Sequence, residues 1–248
     1  MVKGLDTFQR YFADYKEQYV LIGGAACDIL FESNEVNFRA TRDLDMVLIV
    51  EALTPEFGEK FWKFIVDGKY RNKATNGSNP QFYRFDKPED DNFPKMIELF
   101  CRSDFKLKNA KGITPIHIDD EVSSLSAILL NDDYYKALLN GKEVRNGLSV
   151  LRPEYIILFK AKAYLDLQKR KDSGEKLDSS DIKKHKKDVL RIASELMLEK
   201  VEELPIAVDA DIHSFIDLLE QEPFDQNSLK RYGLKNEEIV ELLKQVFG

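Results

Sequence analysis

The chain has 248 residues, of which 43 % are hydrophobic and 11 % aromatic, and this supplies enough apolar side chains for a sizeable core. Its formal net charge of −7 argues against a protein that coats nucleic acid through bulk electrostatics, because that mode requires an excess of Lys and Arg. No apolar run approaches the roughly 18 residues that span a bilayer, and the amphipathic N-terminal segment of mixed charge is unlike a secretory signal. We therefore expect a cytoplasmic protein with no membrane partner. Cys27 and Cys101 match no metal-binding or redox spacing, which predicts reduced packing residues.

The N-terminal segment predicts a helix, a strand, a second helix and a second strand. Apolar residues recur at helical spacing at Leu5, Phe8, Phe12 and Tyr15. The run "YVLIGG", residues 19–24, predicts a buried strand that ends at two glycines, followed by a helix over Ala25 to Phe31. The run "LDMVLIV", residues 44–50, is apolar on both faces beyond Asp45, which favours a central position in a sheet.

A third helix is predicted by phenylalanines at helical spacing at 57, 61 and 64, with Thr54 as its N-cap and Pro55 at its first position. A polar loop over residues 71–80 separates it from two strand-like runs, "QFYRF" and "KMIELFCR". Farther on, "PIHI", "SAILL" and "LSVL" predict strands, with a helix over Asp132 to Leu139.

From Pro153 onward the pattern is helical, with two long helices joined by a Gly-containing loop and two shorter helices toward the C-terminus. We therefore predict an α+β fold in two domains. Residues 1–151 would form a mixed sheet flanked by helices, and residues 152–248 a helical domain.

Asp43 and Asp45 form an acidic-x-acidic pattern at the start of the second strand. Such a pattern carries little weight alone, since 44 Asp and Glu residues produce about 8 chance matches, among them "DAD" at 209–211. In a strand, however, residues i and i+2 share a face, roughly 7 Å apart by backbone rise. Two carboxylates that repel each other and lose hydration near a sheet require a compensating cation. Mg²⁺, or Mn²⁺ in its place, suits such oxygen ligands.

Glu98 and the glycine pair supply the other candidate groups. Glu98 stands alone among apolar neighbours in "MIELF", and such a residue commonly points to solvent from an outer face. If its strand lies next to "LDMVL", Glu98 completes a three-carboxylate cluster able to hold two metals for a phosphoryl-type displacement. Gly23 and Gly24 stand between a strand and a helix, where a phosphate can approach the backbone, although a simple turn explains them equally. The segment "GGAAC" lacks the glycine pattern of dinucleotide-binding folds, and no P-loop pattern occurs.

The segments "LIGGAA", "RATRDLDMVL" and "IELF" together resemble the nucleotidyltransferase fold of polymerase-β-like enzymes. More closely they resemble the AbiEii-type nucleotidyltransferase family, whose Arg-x-Ser/Thr-x-Asp-φ-Asp stretch is matched by Arg39, Thr41, Asp43 and Asp45. The resemblance implies that Asp43, Asp45 and Glu98 are the catalytic metal ligands. It implies equally that the glycine pair at 23 and 24 binds the phosphates of the nucleotide.

The C-terminal half resembles the family through "LFKAKAYLDL" and "LDSSDIKKH", matched by Lys160, Asp178 and Asp181. The resemblance implies that Lys160 and Asp181 contact the nucleotide. Lys162 competes with Lys160 for this role, because the two face different ways on a helix. For both aspartates, capping of a helix N-terminus is an equal alternative. The three histidines show no metal-ligand spacing and are given no catalytic role, and His185 is predicted on a basic helix face.

The resemblance implies an enzyme that transfers a nucleoside monophosphate from an NTP to an acceptor hydroxyl. The acceptor would be an RNA, in some members a tRNA end, and the protein would be the toxin of a pair with an antitoxin partner. The segment 169–187 carries eight Lys or Arg against four Asp or Glu, so it is either an RNA contact or a solvated helix face. The alternative function is a catalytically inactive nucleotide-binding or protein-interaction module of the same fold.

Overall fold

A computed structural model of the chain describes residues 2–32, 43–72, 82–101, 128–129 and 131–248. The chain divides into two compact units, Met1–Asp119 with Lys142–Leu151, and Asp120–Gly141 with Arg152–Gly248. One division falls after Leu151. The second unit also includes residues 120–141. The chain then passes back into the first unit at Lys142–Leu151 and enters the second unit again at Arg152.

The first unit contains a mixed sheet in which seven described strands follow the order β3-β4-β5-β2-β1-β7-β6. Strand β2 pairs antiparallel with β1 and parallel with β5, so it is central as its apolar run predicts. The predicted α+β architecture, a mixed sheet with helices followed by a helical part, is confirmed. The strands are β1 Tyr19–Ile22, β2 Asp43–Leu48, β3 Arg71–Asn72, β4 Phe82–Asp86, β5 Met96–Cys101, β6 Lys142–Arg145 and β7 Leu148–Leu151.

The described residues of this unit form three α-helices: α1 Leu5–Phe12, α2 Gly23–Glu32 and α3 Pro55–Asp67. Thr54 caps α3 by accepting a hydrogen bond from the Phe57 amide, and Pro55 occupies the first turn, which confirms both predictions. Helices α1 and α3 share an aromatic core. The ring of Phe12 lies 4.5 Å from Phe8 and 5.4 Å from Phe64 between centroids, and all three rings are fully buried.

The second unit is helical in its described part. Its long helices α5 and α6 pack side by side and are joined by the Gly174 loop, as predicted. Three helices follow them instead of the predicted two, because Asp225 caps one additional short helix that ends at Gly233 in the left-handed region. No described helix has both the length and the apolar composition needed to cross a membrane. The helices are α4 Asp132–Asn140, α5 Pro153–Asp172, α6 Ser179–Glu195, α7 Ile206–Gln221, α8 Gln226–Tyr232 and α9 Asn236–Phe247.

Several local predictions differ from the structure. Strand β1 ends before the glycine pair as predicted, but α2 begins at Gly23 and not at Ala25, so both glycines lie in its first turn. The strand predicted at "SAILL" is wrong at Ile128 and Leu129, which are helical. Strand β6 was not predicted, because the polar residues of Lys142–Arg145 give no apolar alternation at this sheet edge. The run "PIHI" and residues 73–80 of the predicted loop lie outside the described residues.

Candidate active site

Asp43 and Asp45 begin the central strand β2 and lie on one face of the sheet. Both side chains are half-buried, whereas Leu44 between them is fully buried on the opposite face. The predicted sharing of a face by the two carboxylates is therefore observed. Arg39 and Thr41, the preceding positions of the motif, lie outside the described residues.

Glu98 comes from the neighbouring strand β5, which runs parallel to β2. The register places Glu98 directly opposite Asp45, and its residue exposure is only 6 %. The side chains of Asp45 and Glu98 are linked by a hydrogen bond. The strand pairing that the sequence interpretation required for a three-carboxylate cluster is thus present.

Arg84 is a site residue that the sequence interpretation missed. It lies on β4, on the other side of β5, in register opposite Glu98. Its Nε donates a hydrogen bond to Glu98 Oε1 at 2.7 Å, and a second guanidinium nitrogen contacts the same oxygen. The available signal was one charged residue inside each of two adjacent strand-like runs, Arg84 in "QFYRF" and Glu98 in "MIELF".

Burial raises the pKa of the Glu98 carboxyl, and the Arg84 guanidinium acts in the opposite direction by its charge and its hydrogen bond. The nearby carboxylate of Asp43 adds to the upward shift of the Glu98 pKa. Among the described residues, the site therefore brings three acidic groups together with the guanidinium of Arg84. Such a concentration of carboxyl groups favours the binding of a positive ion.

Gly23 brings the first turn of α2 against this acidic group. Its φ of +61° lies in the left-handed region, and a Cβ added there would stand 2.3 Å from Asp45 Oδ2. The preceding residue, Ile22, pairs with Asp45 in the antiparallel register of β1 and β2. Gly23 and Gly24 are half-buried, whereas residues 25–31 of α2 are buried, so the glycine turn is the accessible part of the N-terminal end of this helix.

The donor set of the site consists of carboxylate oxygens, which are the ligands that Mg²⁺ and Mn²⁺ prefer. In the part of the chain that the structure describes, no group of three or more Asp, Glu, His or Cys side chains takes the arrangement needed to hold a metal ion. The engagement of Glu98 by Arg84 is consistent with this result. Asp43 and Asp45 therefore fit a hard divalent ion as a pair, and Glu98 is held by a cation of the protein itself.

The two candidate lysines belong to helix α5 of the second unit, and each has its own carboxylate partner. Lys160 forms an ion pair with Asp188 of α6 at 3.0 Å, and both side chains are largely buried. Lys162 lies 3.0 Å from Asp166 and 3.1 Å from Asp211. Each lysine is thus held by carboxylates of its own unit.

The two aspartates of the second unit lie at the start of α6. Asp178 is the N-cap, because its side chain accepts a hydrogen bond from the Ser180 amide, so the capping alternative is observed there. Asp181 is exposed in the first turn of the same helix.

His185 is buried, with an exposure of 7 %, and the prediction that it lies on a basic surface face is wrong. His117 lies outside the described residues.

Comparisons with known proteins leave the family of this chain open. No protein-family model and no curated protein sequence matches it. Among solved structures, it is similar to an antigenic nucleotidyltransferase-like protein from Paracoccidioides brasiliensis. That similarity has a TM-score of 0.48 and 15 % sequence identity, and it covers 99 % of this chain and 95 % of the other. Similarity at this level assigns no function, so the site geometry of the chain itself has to support one.

Proposed function

We propose that this protein is a metal-dependent nucleotidyltransferase, which transfers a nucleoside monophosphate from an NTP to an acceptor hydroxyl. The observation that carries the proposal is the convergence of Asp43, Asp45 and Glu98 on adjacent strands, with Gly23 packed against Asp45. Paired carboxylates can bind a metal ion, and a glycine turn at the start of a helix can bind phosphate, so the two together suit a metal–nucleotide complex. The resemblance of the motifs to AbiEii-type nucleotidyltransferases supports the same activity.

The carboxylates of Asp43 and Asp45 would hold Mg²⁺ or Mn²⁺, and a bound ion would neutralise the triphosphate and polarise its phosphoryl oxygens. Both carboxylates lie at the start of a central strand whose other residues are buried. This rigid element fixes their positions before substrate arrives. Glu98 joins them as the third acidic group and hydrogen-bonds Asp45.

The glycine turn would bind the phosphates of the nucleotide. Gly23 has no side chain, which leaves the backbone of the first turn of α2 accessible beside Asp45. The first amide groups of a helix have no partner within the helix, and they point toward an approaching anion. Gly24 extends this accessible surface by a second residue.

In the proposed reaction the acceptor oxygen forms a bond to the α-phosphorus while the bond from that phosphorus to pyrophosphate breaks. The proton of the acceptor hydroxyl leaves to solvent. Catalysis of this kind depends on the positioning of reactants and on charge neutralisation, so it requires no Ser, Cys or His nucleophile. The described site, which consists of carboxyl groups, a guanidinium and glycine backbone, suits that chemistry.

The finer predictions are part of the proposal. Lys160 and Asp181 would contact the nucleotide, and Lys160 would exchange its pairing with Asp188 for a phosphate. The acceptor would be an RNA such as a tRNA, held through the basic segment 169–187, where Lys183 and Lys187 are exposed one helical turn apart on α6. An antitoxin would be the protein partner, as in the family that the motifs resemble.

The deciding experiment is transfer of label from α-phosphate-labelled NTPs to total RNA in the presence of Mg²⁺ or Mn²⁺. Asp45→Ala should lower labelling at least about a hundredfold, since it removes charge stabilisation at the reacting phosphate. The matched control is Asp209→Ala, which changes an exposed aspartate of the second acidic-x-acidic pattern and should leave labelling unchanged. Equal labelling by Asp45→Ala and the parent protein would refute the enzyme proposal. Nucleotide binding without labelled product would support the inactive module instead.

A further inference from the structure

A cavity of about 400 Å³ lies in the first unit, between α1, α3 and the loop that precedes β5. A volume of this size falls in the range of pockets that bind small molecules. The α1 residues of its lining share one face of that helix, because they are spaced i, i+3 and i+4. The lining residues are Thr7, Arg10 and Tyr11 of α1, Lys60 of α3, and Asp90, Asn92 and Phe93 of the loop.

The apolar surface of the cavity is formed by the rings of Tyr11 and Phe93, and both rings are held in place. Their centroids lie 6.1 Å apart. Phe93 is buried and packs against Phe64, with 4.9 Å between the ring centroids. The Tyr11 hydroxyl donates a hydrogen bond to Asp67, which also accepts one from Lys63. The aromatic surface is therefore formed before a ligand arrives, and this lowers the entropy cost of binding.

Two cations adjoin this aromatic surface. Lys60 Nζ lies 5.2 Å from the centroid of the Tyr11 ring. The guanidinium of Arg10 donates a hydrogen bond to the Thr7 hydroxyl at 3.2 Å. Arg10 is also close enough to Tyr11 for its charge to oppose the rise in the Tyr11 pKa that the hydrogen bond to Asp67 causes. Both positive charges therefore lie near the same ring.

Neither Arg10 nor Lys60 forms an ion pair with a carboxylate of the described residues. The charge of Lys60 reaches Asp67 only at longer range, since the pKa of Asp67 is lowered first by its hydrogen bonds to Lys63 and Tyr11. Several other lysines of this unit differ in this respect, because each lies 3.1 Å or less from a carboxylate oxygen: Lys3 and Lys95 from Asp91, Lys63 from Asp67, and Lys69 from Glu89.

The cavity lining contains one acidic residue, Asp90. Its Oδ1 accepts hydrogen bonds from the backbone amide and the side-chain amide of Asn92, at 2.9 Å each. This carboxylate is thus engaged within its own loop. The lining carries two positive charges and one negative charge, so the cavity favours an anion although the whole chain has a net charge of −7.

We propose that this cavity binds a small aryl phosphate, a planar aromatic ring that carries a phosphate monoester. The ring would pack against Tyr11 and Phe93, and the phosphate would accept hydrogen bonds from Arg10 and Lys60. A phosphate monoester carries a charge of about −1.5 to −2 at pH 7, so it matches two cations better than a carboxylate does. The site uses no residue of the candidate active site, and the proposal does not depend on nucleotidyltransferase activity.

Isothermal titration calorimetry of the full chain without metal ions tests this site with phenyl phosphate as the probe. Phenyl phosphate should bind at least about tenfold more tightly than inorganic phosphate or phenol, because it alone contacts both the rings and the cations. Arg10→Gln and Lys60→Gln should each weaken its binding about tenfold, through loss of a hydrogen bond between charged groups. The matched control is Lys136→Gln, which removes an exposed lysine of α4 in the second unit and should leave the affinity unchanged.

Equal affinities of Lys60→Gln, Arg10→Gln and Lys136→Gln for phenyl phosphate would overturn the proposal, because the ligand would then bind elsewhere or not at all. Inorganic phosphate that binds as tightly as phenyl phosphate would also overturn it, since the rings would then contribute nothing. Tyr11→Leu separates the two parts of the site, because it removes a ring and keeps both cations. It should weaken the binding of phenyl phosphate and leave that of inorganic phosphate unchanged, and an unchanged affinity for phenyl phosphate would count against the site.

Discussion

Replacement of Gly23 by alanine tests the close packing of the glycine turn against the carboxylate of Asp45. The chain offers a matched control in Gly233, which ends helix α8. The two glycines have nearly the same backbone conformation, with φ of +61° at Gly23 and +66° at Gly233. An added Cβ would lie 2.3 Å from Asp45 Oδ2 at the first position, whereas it meets no atom within 4 Å at the second.

Both substitutions carry the cost of a non-glycine residue in the left-handed region, about 1–2 kcal/mol. Gly23→Ala adds a collision with Asp45 Oδ2, which the carboxylate relieves by rotating away from its present position, at a further cost of about 1 kcal/mol. We therefore expect Gly233→Ala to lower the free energy of unfolding by the first amount alone. Gly23→Ala should lower it by about 2–3 kcal/mol in total.

Urea denaturation measures both free energies of unfolding, and Mn²⁺ binding reports the position of the Asp45 carboxylate. The two variants should differ in both measurements, since only Gly23→Ala displaces a proposed metal ligand. The argument is refuted if Gly23→Ala and Gly233→Ala lose equal stability and bind Mn²⁺ with equal affinity. In that case the carboxylate of Asp45 would not be held against the glycine turn.

Three further predictions concern stability. Gly58→Ala should raise the free energy of unfolding by about 1 kcal/mol, because Gly58 lies inside α3 and its added Cβ meets no atom within 4 Å. Thr54→Ala should lower the free energy of unfolding by about 1 kcal/mol, because the cap on the Phe57 amide is lost. Equal stabilities of Gly58→Ala and Thr54→Ala in urea denaturation would contradict both predictions. Burial raises the pKa of Glu154 above 4.5, although its carboxylate accepts a hydrogen bond from the Glu199 amide. The proton is thus bound more tightly in the folded state, and the stability from Glu154 is present below pH 4.5 and lost as pH rises through the raised pKa. Glu154→Gln should therefore be more stable than the parent protein at pH 8, with an advantage that shrinks by pH 5, and an advantage independent of pH would contradict this.

Elements that depend on local chemistry were predictable from the sequence. The cap at Thr54 and Pro55 defines the start of α3, and the apolar run after Asp45 predicts a central strand; both are confirmed. The shared face of Asp43 and Asp45 follows from strand geometry alone, whatever the rest of the fold. For these residues, neighbours within a few positions decide the structure.

The sequence carries a signal for Arg84 but could not predict its contact with Glu98, because that contact is fixed by strand register and not by sequence spacing. The residue is separated from Glu98 by fourteen positions, and the run between them does not state how β4 and β5 align. The carboxylate partners of Lys160 and Lys162 could not be predicted for the same reason. Each points from α5 toward a different element, and only the helix packing shows that Asp188 meets Lys160 while Asp211 meets Lys162.

The register that assembles the site is itself set by the apolar residues around it. Ile97 and Leu99 flank Glu98 on β5, and both are fully buried on the opposite face of the sheet. A slip of β5 by one residue would move Glu98 to that face, away from Asp45 and Arg84, and would bring the apolar pair to the acidic side. The transfer free energy of two large apolar side chains thus opposes any alignment that separates the charged groups. Substitution of the pair by smaller residues should therefore weaken the site as well as the core, although neither side chain contacts a metal or a nucleotide in the proposed mechanism.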